Sequence, residues 1–167
     1  MITWRESAVD DPAAHRLLTE YFASRAETFP GGGYITVFPS PADFVPPRGE
    51  FIVAHDDDDT AGEKGTDETG TDVGCGGIRR SPSGAEGLVR FEIKHLWLQP
   101  QTRGRGLGRA LLGELERRAR ELGAQELVLD TNASQEAASG LYRSAGYVEV
   151  APYNDNPNAT HWYLKRL

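Results

Sequence analysis

The stretch "LWLQPQTRGRGLGRALL", residues 96–112, joins an apolar run to a helical pattern through a glycine-rich turn. Gly104, Gly106 and Gly108 stand two apart in this turn, and arginines flank them. A plain strand-to-helix turn accounts comfortably for one glycine and with difficulty for three. Glycine adopts positive φ and lets a ligand approach the backbone closely. The spacing therefore indicates a loop whose N–H groups converge on one anion.

Two familiar phosphate loops do not fit this turn. A P-loop requires GxxxxGK followed by Ser or Thr, and no lysine occurs between Lys94 and Lys165. A dinucleotide-binding GxGxxG motif that starts at Gly104 would need a third glycine where this chain has Arg109. Both nucleotide-binding motifs are therefore disfavoured.

The spacing that the turn does satisfy is RxxGxG, formed by Arg103, Gly106 and Gly108. The helix that follows adds the positive end of its dipole, and the arginine side chains add charge for phosphate oxygens. A pyrophosphate is the ligand that these features predict. The predicted binding residues are Arg103, Gly104, Arg105, Gly106, Leu107, Gly108 and Arg109.

Strand and helix patterns alternate around the loop. Residues 88–100 have the pattern of a long strand, residues 107–122 that of a helix ended by Gly123, and residues 125–131 that of a short buried strand. The predicted helix has an apolar stripe made of Leu107, Leu111, Leu115, Ala119 and Leu122, and Glu114 with Arg118 and Glu116 with Arg120 are spaced to pair on its solvent-facing side. A strand–helix–strand unit predicts two parallel strands joined by a crossover. The remaining predicted elements are a helix opened by Ser134 and strands at 147–153 and 160–167.

The N-terminal half is less regular but also mixes α and β patterns. A first strand over 2–7 precedes a helix over 10–27, with Asp10 or Asp11 as its N-cap and Pro12 in its first turn. A Gly- and Pro-rich segment follows, with a helical turn at 41–44. Two strand patterns, 51–55 and 73–80, predict an antiparallel hairpin. The predicted fold class is mixed α and β (α/β or α+β), in a single domain over 1–167.

The net charge of −7 belongs to one segment, residues 56–72, which has eight acidic residues and one lysine. Its lack of apolar side chains predicts a flexible acidic loop between two strands. No basic stripe is visible, so a nucleic-acid partner is disfavoured. The apolar runs are too short for a membrane span, and Cys75 is the only cysteine. We expect a cytoplasmic protein with no membrane contact and no metal.

The chain resembles the GNAT superfamily of N-acetyltransferases in two places. The first is the acetyl-coenzyme A signature strand–P–x–x–R–G–x–G–x–G–helix in the stretch quoted above. The second is "QELVLDTNASQEAASGLYRSAGY", residues 125–147, similar to the family's later strand and "LY" helix. The resemblance implies a twisted, mostly antiparallel sheet flanked by helices, with one parallel strand pair splayed apart. Acetyl-CoA would be the co-substrate, its pantetheine arm on the backbone of Leu96, Trp97 and Leu98 and its pyrophosphate on residues 103–109.

The resemblance also implies catalytic residues. Tyr142, the tyrosine of the "LY" pair, would lie beside the coenzyme sulfur and protonate the departing thiolate, although its helical spacing alone suggests a core aromatic. An alkylammonium must lose a proton before it attacks a thioester, so a base is needed. Glu92, eleven residues before Arg103, resembles the strand glutamate that serves as base in some members. The alternative is an ordinary strand residue paired with Arg90 or Lys94.

Further positions correspond to coenzyme or acceptor contacts in the family. Asn132 resembles a residue that hydrogen-bonds pantetheine, and Ser139 and Arg143 would face the coenzyme. Gln135 replaces an asparagine common in the family, which puts its coenzyme contact in doubt. The aromatic segment 31–44 and the loop 153–159 would line the acceptor site.

The acceptor is left open by the sequence. A small primary amine, attacked directly in a ternary complex, is one hypothesis. A protein lysine or N-terminal amine is a second, and a non-catalytic acyl-CoA-binding regulatory module is a third. The resemblance also makes a homodimer through the late strands an expectation that no residue of this chain demonstrates.

Overall fold

A computed structural model describes residues 1–58 and 70–167. The predicted acidic loop therefore lies largely outside the described residues. The strands are β1 (Ile2–Glu6), β2 (Gly49–Asp56), β3 (Thr71–Ser81), β4 (Arg90–Leu98), β5 (Glu126–Thr131), β6 (Val148–Val150) and β7 (His161–Arg166). The helices are α1 (Pro12–Thr28), α2 (Leu107–Glu121) and α3 (Glu136–Ser144), with short 3₁₀ turns at Pro41–Phe44 and Pro100–Thr102.

The seven strands form one sheet in the order β1-β2-β3-β4-β5-β7-β6. Every neighbouring pair is antiparallel except β4 and β5, which α2 connects and which run parallel. This arrangement confirms the predicted fold class, the hairpin of β2 with β3 and the parallel pair. In the described part of the chain, no helix is both long and apolar enough to cross a membrane.

The parallel pairing of β4 with β5 is short. It joins residues 90–92 to residues 126–128 and then stops, although both strands continue. A bulge in β4 accompanies the separation: Cys75 and Gly77 of β3 pair with Trp97 and Lys94, so β4 holds one extra residue. The backbone of His95 takes a φ of 57° at this bulge. A bulge bends its strand, and here it coincides with the splay that the family resemblance implied.

Helix α1 covers one face of the sheet. Asp11 accepts a hydrogen bond from the Ala13 N–H at 3.0 Å, which makes it the N-cap, and Pro12 opens the helix as expected. The buried face of α1 packs against the inner residues of β2 and β3. This cluster includes Leu17, Leu18, Phe22, Phe44, Phe51, Val53 and Cys75.

Helix α2 covers the opposite face and shows where periodicity misled us. The predicted stripe of Leu111, Leu115 and Ala119 is buried, and Glu114 pairs with Arg118 at 2.7 Å as expected. The predicted pair of Glu116 with Arg120 is wrong. Glu116 follows Leu112 by one helical turn, lies within the apolar stripe, and is 7% exposed. Its carboxylate accepts hydrogen bonds at 2.9 and 3.0 Å from Lys165 of β7 instead.

Replacing Lys165 with methionine should lower the free energy of unfolding by about 2 kcal/mol, because the Glu116 carboxylate would stay in the core without its cation. Urea denaturation at neutral pH measures the effect. The double variant Lys165→Met/Glu116→Leu is the control and should recover most of the loss, since neither charge remains buried. A single variant as stable as the wild type would show that this pair contributes nothing.

Candidate active site

A narrow gap opens between β4 and β5 where their pairing ends. Its volume is about 40 Å³, residues 93–96 line it on the β4 side, and Leu129 and Asp130 line it on the β5 side. Tyr142 of α3 also lines the gap. Beyond Glu92, the backbone groups of β4 that face β5 have no ladder partner there. An extended ligand can hydrogen-bond to such an edge as an added strand, and this edge includes the predicted pantetheine-binding residues Leu96 to Leu98.

The glycine-rich loop lies at the start of α2. Gly104 and Gly106 have φ values of 78° and 74°, which confirms that these positions need glycine's freedom. The first hydrogen bond of α2 runs from the Ala110 N–H to the Gly106 carbonyl at 3.2 Å. The N–H groups of residues 107–109 precede that bond, so they have no acceptor within the helix. Together these groups form an exposed cradle of donors suited to a pyrophosphate.

The three arginines around the cradle have different surroundings. Arg105 donates to Asp56 at 2.5 Å, and Asp56 is only 2% exposed. This hydrogen bond holds the pKa of Asp56 below its ordinary value. Arg109 donates to the carbonyl and hydroxyl of Ser144, both at 3.2 Å. Arg103 is exposed and makes no ion pair with a described residue, so it is the most available of the three for a phosphate.

Tyr142 is both a core aromatic and a gap residue. It is 6% exposed, its ring lies 6.0 Å from those of Tyr147 and Tyr163, and it lines the gap with Leu96. Burial raises the pKa of its hydroxyl above the ordinary value. The hydroxyl is therefore protonated at neutral pH, as a proton donor must be. Its role as the acid remains a prediction.

Glu92 is buried, as expected, but among cations. Its carboxylate accepts from Arg79 at 2.9 Å and from the Tyr153 hydroxyl at 3.0 Å, and lies 3.4 Å from Lys94. Of the two alternative partners, Lys94 is present, whereas Arg90 pairs with Glu126 at 2.7 Å. The role of Glu92 as the base remains a prediction.

Asn132 joins the end of β5 to the loop between β6 and β7. Its side chain accepts from the Ser134 N–H at 3.0 Å and donates to the Asn158 carbonyl at 3.0 Å. Ser134 was expected to open α3, which was wrong, because the helix begins at Glu136 with Gln135 as its cap residue. Asn132 supplies the turn instead, since its carbonyl accepts from the Gln135 N–H at 2.9 Å.

The other predicted coenzyme contacts lie on or beside α3. Ser139 is buried, and Arg143 is exposed with one N–H directed to the Tyr163 hydroxyl at 3.5 Å. Gln135 bridges α1 and α3, because it accepts from Arg25 and donates to the Thr28 hydroxyl at 2.8 Å. The coenzyme contacts of Asn132, Ser139 and Arg143 stay predictions.

A larger cavity, about 510 Å³, adjoins the gap on the α1 side of the sheet. Residues 34–40 and 154–159 line it, together with α1 and the β4 bulge, so both predicted acceptor segments meet here. Asn158 donates to the Ile35 carbonyl at 2.7 Å and accepts from the Ile35 N–H at 3.0 Å. This reciprocal contact holds the two segments together over the cavity. No short-range pattern in the sequence could have revealed it.

His95 lies at the bulge and borders both the gap and the cavity. It packs against the rings of Tyr21, Phe22 and Phe44. Burial, reinforced by the nearby charge of Lys94, lowers its pKa to about 3. Its imidazole is therefore neutral and too weakly basic to hold a proton at neutral pH.

A splayed, mostly antiparallel sheet beside a glycine-rich anion cradle is the arrangement that the resemblance to the GNAT superfamily implied. Comparison with known proteins gives the same class. The model of the Acetyltransferase (GNAT) family matches residues 18–147, and the chain belongs to that family.

Two curated relatives and two solved structures illustrate the similarity. The IAA acetyltransferase of Azospirillum brasilense is 38% identical over 51% of this chain and 53% of its own length. An uncharacterised N-acetyltransferase of Schizosaccharomyces pombe is 33% identical over 73% of this chain and 66% of its own. The chain thus spans about half to two thirds of the length of these curated relatives.

The solved structures cover the whole fold. A candidate acyl-CoA N-acyltransferase from Klebsiella pneumoniae is 28% identical with a TM-score of 0.70, over 100% of this chain and 98% of that one. An acetyltransferase of the GNAT family from Staphylococcus aureus Mu50 is 16% identical with a TM-score of 0.73, over 99% of both chains. The second similarity concerns the fold alone.

Proposed function

We propose that this protein is an acetyl-CoA-dependent N-acetyltransferase that acetylates the primary amine of a small molecule. One observation carries the proposal. The unpaired edge of β4 runs between the glycine-rich anion cradle and an aromatic-lined cavity, and Tyr142 lines the gap beside that edge, which adjoins the cavity. Thioester, acceptor amine and proton donor can therefore meet at one point, as direct transfer in a ternary complex requires.

The acyl-transfer step itself uses a backbone N–H group and one hydroxyl. A backbone N–H at the β4 splay stabilises the oxyanion that forms when the amine attacks the thioester carbonyl. Collapse of the tetrahedral intermediate breaks the C–S bond and forms the amide. The thiolate takes its proton from the Tyr142 hydroxyl. No step requires a metal.

Two carboxylates are candidates for the group that receives the ammonium proton. Asp130 lines both the cavity and the gap, whereas Glu92 is not among the described residues that line either one. Lys94 lies 3.4 Å from each of them. Although burial alone would lower the pKa of Lys94, the two carboxylates hold it above its ordinary value. We assign Asp130 as the proton acceptor and Glu92 as the residue that positions Lys94.

Substitution of each carboxylate separates these assignments. Asp130→Asn should lower kcat about a hundredfold at pH 7, because no carboxylate then takes the proton of the amine. Glu92→Gln should lower kcat less. The assay is thiol release from acetyl-CoA at saturating acceptor. If Glu92→Gln instead causes the larger loss, Glu92 is the base, as the family resemblance first implied.

The shape of the cavity favours a small acceptor. Its roof is formed by two segments held together through Asn158 and Ile35, whereas a peptide would need an open groove. Transfer to a protein lysine or N-terminal amine is the second candidate, and acyl-CoA binding without catalysis is the third. Homodimer formation and a cytoplasmic location remain predictions.

A thiol-release assay with acetyl-CoA tests the proposed function. The acceptor panel contains amino acids, polyamines, aminoglycosides and lysine-containing peptides, and calorimetry measures coenzyme binding in parallel. Release with a small amine but not with peptides is the expected result. Activity restricted to peptides would favour the second candidate. Coenzyme binding without any release would favour the third.

A further inference from the structure

The charged side chains around the cavity are paired with one exception. Asp43 contacts Arg48 at 3.1 Å and Arg79 at 3.9 Å. Arg79 also donates to Glu92, and Lys94 lies between Glu92 and Asp130. These contacts balance cations and carboxylates along the β4 and β5 walls, and His95 is neutral. The charges along these two walls therefore nearly cancel in sum.

Arg25 of α1 is the exception. It lines the cavity and the gap, is half-buried, and makes no ion pair with any residue in 1–58 or 70–167. Its partners are neutral: it donates to the side-chain carbonyl of Gln135 and lies 4.9 Å above the ring of Tyr21. These contacts fix the direction of the guanidinium without cancelling its charge. A held, uncompensated guanidinium in a cavity is complementary to an anionic ligand group.

The neighbours of Arg25 define where the rest of the ligand lies. Asp130 also lines both the cavity and the gap. The ammonium group of a ligand can therefore approach the Asp130 carboxylate while the carboxylate of the same ligand contacts Arg25. Away from the gap, the wall becomes apolar, with Phe22, Tyr34 and Phe38 lining the cavity and Phe22 in tilted contact with the other two rings. Ile35, Val37 and Phe38 are exposed there, which large apolar side chains seldom are without a ligand or partner.

We propose that the acceptor is a primary amine that carries a carboxylate close to its nitrogen and an apolar side chain, as an apolar α-amino acid does. Arg25 binds the carboxylate, Asp130 receives the proton of the amine, and the aromatic wall takes the side chain. This inference rests on the proposed function, because it specifies the acceptor of the same transfer. The reaction forms an amide and releases free coenzyme A thiol, with no further reactant.

The test compares matched acceptors that differ only in the anionic group. L-Phenylalanine, L-phenylalaninamide and phenethylamine are assayed for thiol release with wild type, Arg25→Gln and Arg25→Lys. The wild type should prefer the acid by about tenfold or more in kcat/KM, because a charge-assisted contact is lost with the other two. Arg25→Gln should abolish the preference, and Arg25→Lys should restore part of it. Arg120→Gln, an exposed arginine of α2, is the control for loss of one charge.

A binding measurement keeps the inference separate from catalysis. Calorimetry compares N-acetyl-L-phenylalanine with its carboxamide on the same variants, after circular dichroism confirms that each is folded. If the wild type acetylates L-phenylalanine, L-phenylalaninamide and phenethylamine equally well, the inference is overturned and the proposed function is unaffected. If neither these acceptors nor the broader amine panel gives thiol release, while carboxylate-dependent binding is present and is lost in Arg25→Gln, the proposed function is overturned and the anion site is kept. Absence of both thiol release across the panel and carboxylate-dependent binding would overturn both.

Discussion

Replacing Tyr142 with phenylalanine is expected to lower kcat about a hundredfold, with a smaller change in the KM for acetyl-CoA. The substitution removes one oxygen from a ring that stays packed against Tyr147 and Tyr163, so the fold should persist. Without this hydroxyl the coenzyme thiolate must take its proton from water, which is poorly placed in a gap of about 40 Å³. Steady-state thiol release with a saturating acceptor measures the loss.

The pKa of Tyr142 adds a second expectation to this variant. Burial raises that pKa above its ordinary value of 10.0, so the hydroxyl keeps its proton as the pH rises towards that value. The kcat of the wild type should therefore show no basic limb from Tyr142 below pH 10.0. A basic limb of kcat near neutral pH that disappears in Tyr142→Phe would contradict the raised pKa of the Tyr142 hydroxyl.

Tyr147 supplies the matched control. It is another buried tyrosine of the same cluster, but it is absent from the described residues that line the gap or the cavity. Tyr147→Phe removes the same atom from the same core and should leave kcat within about twofold, since no proton reaches the thiolate from there. Equal losses in the two variants would assign the effect to core packing. An unchanged kcat in Tyr142→Phe would remove Tyr142 from the mechanism.

The features that could be predicted from the sequence are local ones. The spacing of Gly104 and Gly106 fixed where φ is positive, and the RxxGxG pattern located the anion cradle at the start of α2. The strand–helix–strand order of residues 88–131 correctly predicted the parallel pair. Each of these depends on residues close together in the chain, so a linear pattern records them.

Contacts between distant residues were not predictable in this way. Arg25 and Gln135 are 110 positions apart, and Ile35 and Asn158 are 123 apart. Arg105 differs from Arg103 and Arg109 because it donates a hydrogen bond to Asp56, which lies 49 positions earlier in the chain. Helical periodicity wrongly predicted that Glu116 lies near the surface. The pattern within one helix contains no information about Lys165 of β7, which pairs with Glu116. Sequence therefore located the glycine-rich loop at the start of α2 and the parallel strand pair, whereas the charged contacts around the cavity emerged only from the folded chain.

Replacing Gly106 with valine should weaken acetyl-CoA binding at least about tenfold while leaving kcat at saturating coenzyme within a few fold. Gly106 is the N-cap of α2 with φ 74° and ψ 6°, a left-handed conformation that a β-branched residue adopts only with strain of about 1–3 kcal/mol. The loop should relax to a conformation in which the N–H groups of residues 107–109 no longer converge on the pyrophosphate. Isothermal titration with acetyl-CoA and with free coenzyme A measures the change in Kd.

Gly87 provides a control with nearly the same backbone φ angle as Gly106. It lies between β3 and β4 with φ 70°, and a Cβ at either glycine would meet nothing within 4 Å. Gly106→Val and Gly87→Val should therefore lose similar stability on thermal unfolding, since both place a branched side chain at positive φ. Only Gly106→Val should lose coenzyme affinity, because only that strain displaces donors at a helix N-terminus. Equal Kd values for the two variants would show that the cradle does not hold the pyrophosphate, and Arg103 and the β4 edge would then have to carry coenzyme binding.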